Sequence, residues 1–189
     1  MSIVTVLFSG GIDSSACMAF YLEHGWQIQP LWVDYGQPAA REESMAVERL
    51  CRYYHLNARI TRLEGIQWTT IRSDPVEYLG RNLTLLSLAV NQASPSPSLI
   101  AMGVHAGTNF PDCSREFVSL ANKLVQLVSH HNTYFECPFL NWTKAELVGY
   151  AKSRRLPVHL TYSCFEGTAG HCGVCAKCQE RFHILSNHW

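Results

Sequence analysis

Short apolar runs and longer stretches with one apolar face alternate along most of the chain. Residues 3–9 read as a strand, and 14–24 as a helix that ends before Gly25. Gln27 to Val33 is a second strand, opening into the loop Asp34-Tyr35-Gly36-Gln37-Pro38. A helix from Arg41 to Tyr54 follows, its partly apolar face carried by Met45, Val47, Leu50, Cys51 and Tyr54. Ala58 to Leu63 is a third strand, and residues 64–80 read as irregular. Asn82 to Ala93 is an apolar helix stopped by Ser94-Pro95-Ser96-Pro97. Leu99 to Val104 is a fourth strand, followed by a polar loop from His105 to Ser114, a helix from Glu116 to His130 and a short strand from Tyr134 to Cys137. Thr143 opens another helix, because Thr143-x-x-Glu146 is a capping box. Regular βα alternation predicts a five-stranded parallel sheet with helices on both faces, and ligands in such sheets bind at the carboxyl ends of the strands.

At 189 residues the chain suits one domain with a core of its own. With 47% hydrophobic and 16% charged residues it is neither a disordered chain nor a polyelectrolyte. Fifteen basic residues balance fifteen acidic ones, so bulk charge gives no support to a nucleic-acid or membrane partner. No apolar run approaches the roughly 20 residues of a membrane span. The N-terminus carries no basic leader or cleavage site, which makes a cytoplasmic location the expectation. Reduced thiols are then expected, and the spacing of the eight cysteines becomes informative.

The first strand breaks into Ser9-Gly10-Gly11-Ile12-Asp13-Ser14-Ser15. Two glycines let backbone approach a ligand, three hydroxyls are on offer, and the N–H groups of the next helix point at an anion. Asp13 is placed to cap that helix or to help hold a phosphate-bound metal. No lysine closes the loop, so it is not a Walker loop. It resembles the PP-loop of ATP pyrophosphatases. Near the other end stand Cys164, Cys172, Cys175 and Cys178. Two-residue gaps place thiolates on adjacent corners of a tight turn, suiting a structural tetrahedral zinc with bonds of about 2.3 Å. An iron–sulfur cluster uses similar spacings, and His171 is an alternative ligand beside Cys172. Cys17 and Cys51 fall on apolar helix faces as core thiols.

Together these ends resemble the 7-cyano-7-deazaguanine synthase family of queuosine precursor biosynthesis. The likeness continues through Asp34-Tyr35-Gly36-Gln37, Gly80-Arg81-Asn82, Gly103-Val104, Pro111-Asp112-Cys113, Glu116-Phe117, Pro138 to Glu146 and Leu160 to Cys164. The resemblance implies an AMP-forming carbon–nitrogen ligase. It would adenylate 7-carboxy-7-deazaguanine and convert it with ammonia, through the amide, to 7-cyano-7-deazaguanine (preQ0). Residues 1–160 would form the PP-loop ATP-binding domain, and 161–189 a zinc-binding segment packed on it. ATP would lie along Phe8, Ser9, Gly10, Gly11, Ile12, Asp13, Ser14, Ser15, Ala16, Cys17 and Met18, with Mg2+ near Asp13. Asp13, Arg81 and Lys144 are the implied catalytic residues, Lys144 serving the departing pyrophosphate. Tyr35, Gln37, Arg81, Asn82, Asp112 and Glu116 are the implied substrate contacts. A homodimer is also implied.

Three departures stand out. The chain is shorter than typical members between the third strand and Gly80, and Leu79 replaces an expected proline. The loop His105-Ala106-Gly107-Thr108-Asn109-Phe110-Pro111 is clipped where the substrate pocket is shaped. A second reading therefore stands beside the first: the activated deazaguanine is joined to another amine, such as one on a protein. RNA thiolation and zinc-dependent nucleic-acid binding are further alternatives, opposed by the missing RNA-binding domain and the neutral charge.

Overall fold

The computed structural model describes residues 2–73, 76–93, 98–108 and 110–188. Strand β1, Ile3–Leu7, is aliphatic except at Thr5 and buried along most of its length. A strand apolar on both sides must be covered on both faces and flanked at both edges. It is accordingly central, between β2 (Gln27–Asp34) and β6 (Ser98–Met102), and Leu7 stands opposite both Leu31 and Met102. β3 (Arg59–Arg62) and β7 (Thr133–Glu136) close the order β3-β2-β1-β6-β7, with every pairing parallel. The expected five-stranded α/β sheet is what the chain forms. Its edge strands carry exposed charges, Arg59 and Arg62 on β3 and Glu136 on β7, beside the exposed Ile60 and Tyr134, and those charges discourage pairing with another sheet.

Alternation along the strands sorts the core into two layers. Val4, Val6, Ile28 and Leu99 pack under α1 (Ile12–Glu23), α2 (Ala40–Tyr53) and α5 (Lys144–Ser153). Leu7, Leu31, Ile100 and Phe135 pack under α3 (Arg81–Asn91) and α4 (Arg115–Val128). Cys17 and Cys51 are buried core thiols, as read from the sequence. Thr143 and Glu146 form both halves of the expected capping box on α5.

Some boundaries differ. α1 begins at Ile12, two residues early, because the glycine turn itself supplies the N-cap. Residues 64–80 are not wholly irregular: β4 (Thr70–Ser73) and β5 (Val76–Tyr78) make a two-stranded antiparallel sheet, too short to show a period. The C-terminal α6 (Ala176–His188) has no clear apolar stripe, since Arg181 stands between the buried Cys178 and Ile184. The proposed stop Ser94 to Pro97 lies outside the described residues, as does Asn109 of the clipped loop. Among the described residues no helix is long and apolar enough to cross a membrane.

One close approach locks α1 to the sheet. At Gly103, just past β6, a Cβ would stand 2.5 Å from the Asp13 carbonyl oxygen and 3.0 Å from the Ser14 nitrogen. Backbone cannot yield there, so Gly103→Ala should cost about 2 kcal/mol or more. Gly149, inside α5 with open space around it, should gain up to about 1 kcal/mol as Ala. Urea-unfolding midpoints of the two variants, measured against the parent, check both signs.

Candidate active site

The carboxyl ends of β1, β2 and β6 border a cavity of about 400 Å³. Its floor is the loop after β1. Gly10 takes φ +76°, and a Cβ there would sit 3.0 Å from the Ala46 Cβ, so this turn requires glycine. The Gly10 carbonyl accepts from the Tyr162 N–H at 3.0 Å, tying the loop to the chain before the cysteines. Ser9 and Ser14 hydroxyls lie 3.2 Å apart, and Ser14 Oγ donates to the Gly11 carbonyl. Gly11 is the N-cap of α1 and offers no side chain, so the first-turn N–H groups are left for another acceptor.

Asp13 sits in that first turn without capping it, and faces two groups from elsewhere. Lys144 Nζ, from the start of α5, lies 2.5 Å from its Oδ1. His105 Nε2, after β6, lies 3.7 Å from its Oδ2. His105 is buried, its Nδ1 is 2.6 Å from the Ala106 carbonyl, and its Nε2 has no hydrogen-bond partner among the described residues. Lys144 also approaches Glu180 of α6 at 3.4 Å, and Lys177 lies 2.7 Å from the same carboxylate. Burial works against a charged Glu180, but Lys144 and Lys177 hold its carboxyl below the usual range.

The opposite wall is built after β2. Gln37 Nε2 donates to Glu43 at 2.8 Å and to the Val33 carbonyl at 3.2 Å, while its Oε1 accepts from the Tyr35 N–H. Trp32 Nε1 donates to the same Glu43 oxygen at 3.3 Å, and burial raises the carboxyl pKa of Glu43. Tyr35 packs edge-on against Trp68 and Tyr78. Arg81, at the first turn of α3, donates to Asn82 Oδ1 at 3.3 Å and lies within electrostatic reach of the Tyr35 side chain. Burial opposes its charge, but Tyr35 and Asp112 keep the guanidinium pKa raised.

Beside the cavity, the four cysteine sulfurs lie within 4.8 Å of one another. Cys172 and Cys178 sulfurs are 3.8 Å apart, those of Cys175 and Cys164 4.0 Å. A tetrahedron with 2.3 Å metal–sulfur bonds has edges of about 3.8 Å, so the set fits one ion. Burial pushes the Cys164 thiol up, but hydrogen bonds from the Cys172 and Glu166 N–H groups and from Thr168 bring it to about 6. Cys178 is pushed up to about 12 by burial and by the neighbouring thiols. His171 stands outside this set and packs on the Tyr162 ring.

Of the residues named from sequence, Phe8, Ser9, Gly11, Ile12, Asp13 and Ser14 line the cavity, together with Tyr35, Gln37, Arg81, Asn82 and Lys144. Gly10, Ser15, Ala16, Cys17 and Met18 lie behind it, the last four buried along α1. Asp112 is occupied in capping α3: its carboxylate accepts from the Asn82 N–H at 3.1 Å, and its carbonyl accepts from Asn82 Nδ2. Glu116 is exposed on the first turn of α4, away from the cavity. Sequence reading passed over Glu43, His105, Lys177, Glu180 and Arg181, which all line it. Their only signal was position after a strand end or among the cysteines.

A model of the family described as queuosine biosynthesis protein QueC matches residues 3–188. A protein named 7-cyano-7-deazaguanine synthase from Acetivibrio thermocellus is 32% identical, over 93% of this chain and 89% of that one. Two solved structures share the fold. A predicted subunit of tRNA methyltransferase from Methanocaldococcus jannaschii has a TM-score of 0.52 at 16% identity, covering 77% of this chain and 73% of its own. The U34-tRNA thiolase NcsA from Methanococcus maripaludis, solved with its [4Fe-4S] cluster, has a TM-score of 0.51 at 12% identity, covering 98% and 66%. With the match running from β1 through α6, the chain belongs to the QueC family of queuosine biosynthesis proteins.

Proposed function

We propose that this chain is an ATP-dependent, AMP-forming ligase. It adenylates the carboxylate of 7-carboxy-7-deazaguanine, and ammonia displaces AMP to give the amide. A second ATP then adenylates the amide oxygen, which leaves with AMP as two N–H protons are lost, giving the nitrile preQ0. The observation that carries this reading is the meeting of the serine–glycine loop, the open N-terminus of α1, Lys144 and Arg81 on one cavity. A carboxylate is a poor electrophile, and adenylation gives it a leaving group. What the protein must supply is positioning and positive charge where phosphate oxygens gain negative charge.

The N–H groups of α1 and the Ser9 and Ser14 hydroxyls cradle the phosphates. Lys144, held by Asp13, takes the pyrophosphate that leaves when the substrate carboxylate attacks the α-phosphorus. Arg81, held by Asn82, faces the attacking carboxylate. Tyr35, Gln37 and Asn82 form the wall for the deazaguanine ring, and Asp112 positions Asn82 rather than touching substrate. The Asp13 carboxylate, with only Oδ1 engaged by Lys144, fits a role toward Mg2+, which would neutralise phosphate charge. The four cysteines fit a structural zinc. A cubane cluster would bind each thiolate to a separate iron and spread the sulfurs wider than these edges. The loop after His105 is shorter than the family pattern, so product analysis assigns the amine acceptor.

Incubation with Mg2+, ATP, 7-carboxy-7-deazaguanine and ammonia should yield AMP, pyrophosphate and a nitrile product by mass spectrometry. AMP formation that needs a different amine would move the reading to the second acceptor. Absence of AMP under all conditions would reject it. Lys144→Met should lower AMP formation by about 100-fold or more with an unchanged circular dichroism spectrum. For the metal, elemental analysis should find one zinc per chain and no iron. Cys175→Ser should lose the metal and about 4 kcal/mol of unfolding free energy, measured by urea titration.

A further inference from the structure

Helix α6 starts inside the cysteine set, Ala176 following Cys175 and preceding Cys178. What fixes the cysteines therefore also fixes the first turns of α6. One face of those turns, Lys177, Glu180, Arg181 and Ile184, lines the cavity at the spacing i, i+3, i+4, i+7. Arg181 is engaged by the scaffold: it donates to Thr161 Oγ1 and to the Val158 carbonyl, each at 2.7 Å. Ile184 is core. Lys177 and Glu180 serve neither purpose.

Four charges instead alternate in a row from α6 to the phosphate loop. Lys177 Nζ is 2.7 Å from Glu180 Oε2, Glu180 Oε1 is 3.4 Å from Lys144 Nζ, and Lys144 Nζ is 2.5 Å from Asp13 Oδ1. An i, i+3 pair on an open helix face would mean little. This pair is turned into the cavity, about one-third exposed at each side chain, and shares its carboxylate with a lysine from another helix.

We infer that Lys177 is a second cationic ligand for the pyrophosphate end of the nucleotide. Glu180 is the internal anion that occupies Lys144 and Lys177 until phosphate replaces it. The inference rests on the nucleotide reading above. A polyanion offers more charge-assisted hydrogen bonds to two ammonium groups than one carboxylate does, so it displaces Glu180 on binding. Glu180 reclaims both lysines when pyrophosphate leaves.

Calorimetric titration of the metal-loaded full chain with magnesium pyrophosphate tests this, using Lys177→Met, Lys177→Arg, Glu180→Gln and, as a charge control on the exposed side of α4, Lys123→Met. Lys177→Met should weaken pyrophosphate about tenfold, Lys177→Arg should restore most of that, and Lys123→Met should change nothing. Glu180→Gln should tighten pyrophosphate about tenfold and slow steady-state AMP production more than the first turnover. Metal content is measured for every variant. If Lys177→Met loses metal, the Lys177→Arg and Glu180→Gln responses decide. Normal binding by the parent with unchanged affinity in both Lys177→Met and Glu180→Gln overturns this inference alone, as does weaker binding in Glu180→Gln. Failure of the parent to bind ATP or pyrophosphate overturns the nucleotide reading as well.

Discussion

Parallel pairing of β1 with both β2 and β6 is the constraint on which the rest of the molecule depends. Leu7 sits level with Leu31 on one side and Met102 on the other, so three chain segments leave the sheet at one rim. The loops from Phe8, Tyr35 and Gly103 therefore meet although they are far apart in sequence. None of them needs internal rigidity, because the core layers above and below hold their roots. Gly103 then sets the spacing: with no side chain there, the first turn of α1 closes onto the end of β6. A larger residue would push apart the two elements that hold Asp13 and His105 face to face.

Charge closes what the sheet brings near. Lys144 and Asp13 are 131 residues apart in sequence, and their contact joins α5 to α1 over the cavity rim. The capping box of Thr143 and Glu146 fixes where α5 begins, and so where Lys144 points. On the far side, α6 takes its start from the cysteine knuckle and returns Glu180 to the same lysine. The cysteine segment is thus part of the cavity wall as well as a clasp. Cys164 itself lines the cavity, and Tyr162, two residues earlier, holds the loop after β1 by its N–H.

The fold was legible from sequence where period and local chemistry agree. The aliphatic run of β1, the glycine turn after it and the Thr143–Glu146 box each state their own geometry in a few adjacent residues. The cysteine spacing did the same for the knuckle. Helix α6 was not legible, because its inward face carries a buried arginine whose partners, Thr161 and Val158, come from another segment. Glu43 reads as a first-turn acid of α2 and becomes a cavity residue only when Gln37 and Trp32 turn toward it. Asp112 shows the converse. It stands in a motif that suggests substrate contact, yet its carboxylate serves the N-terminus of α3, which Gly80 leaves without a side-chain cap.

The cavity has two chemically different ends, and their separation bears on how one site would hold the two anions of the proposed reaction. At the α1 end, backbone N–H groups and Lys144 and Lys177 offer positive charge, with Asp13 and Glu180 as the internal counter-anions. At the β2 end, the cavity is lined by the aromatic rings of Tyr35 and Tyr78 with one half-buried carboxylate and one half-buried guanidinium, Glu43 and Arg81. A triphosphate gains little at the second end, where burial disfavours its charge and Glu43 repels it. A flat heterocycle gains little among the lysines. On the proposed reading, each part of a nucleotide–deazaguanine pair therefore has one end that suits it. Arg81, within electrostatic reach of Tyr35 and Asp112, is the cation that the proposed reading assigns to a carboxylate on that ring.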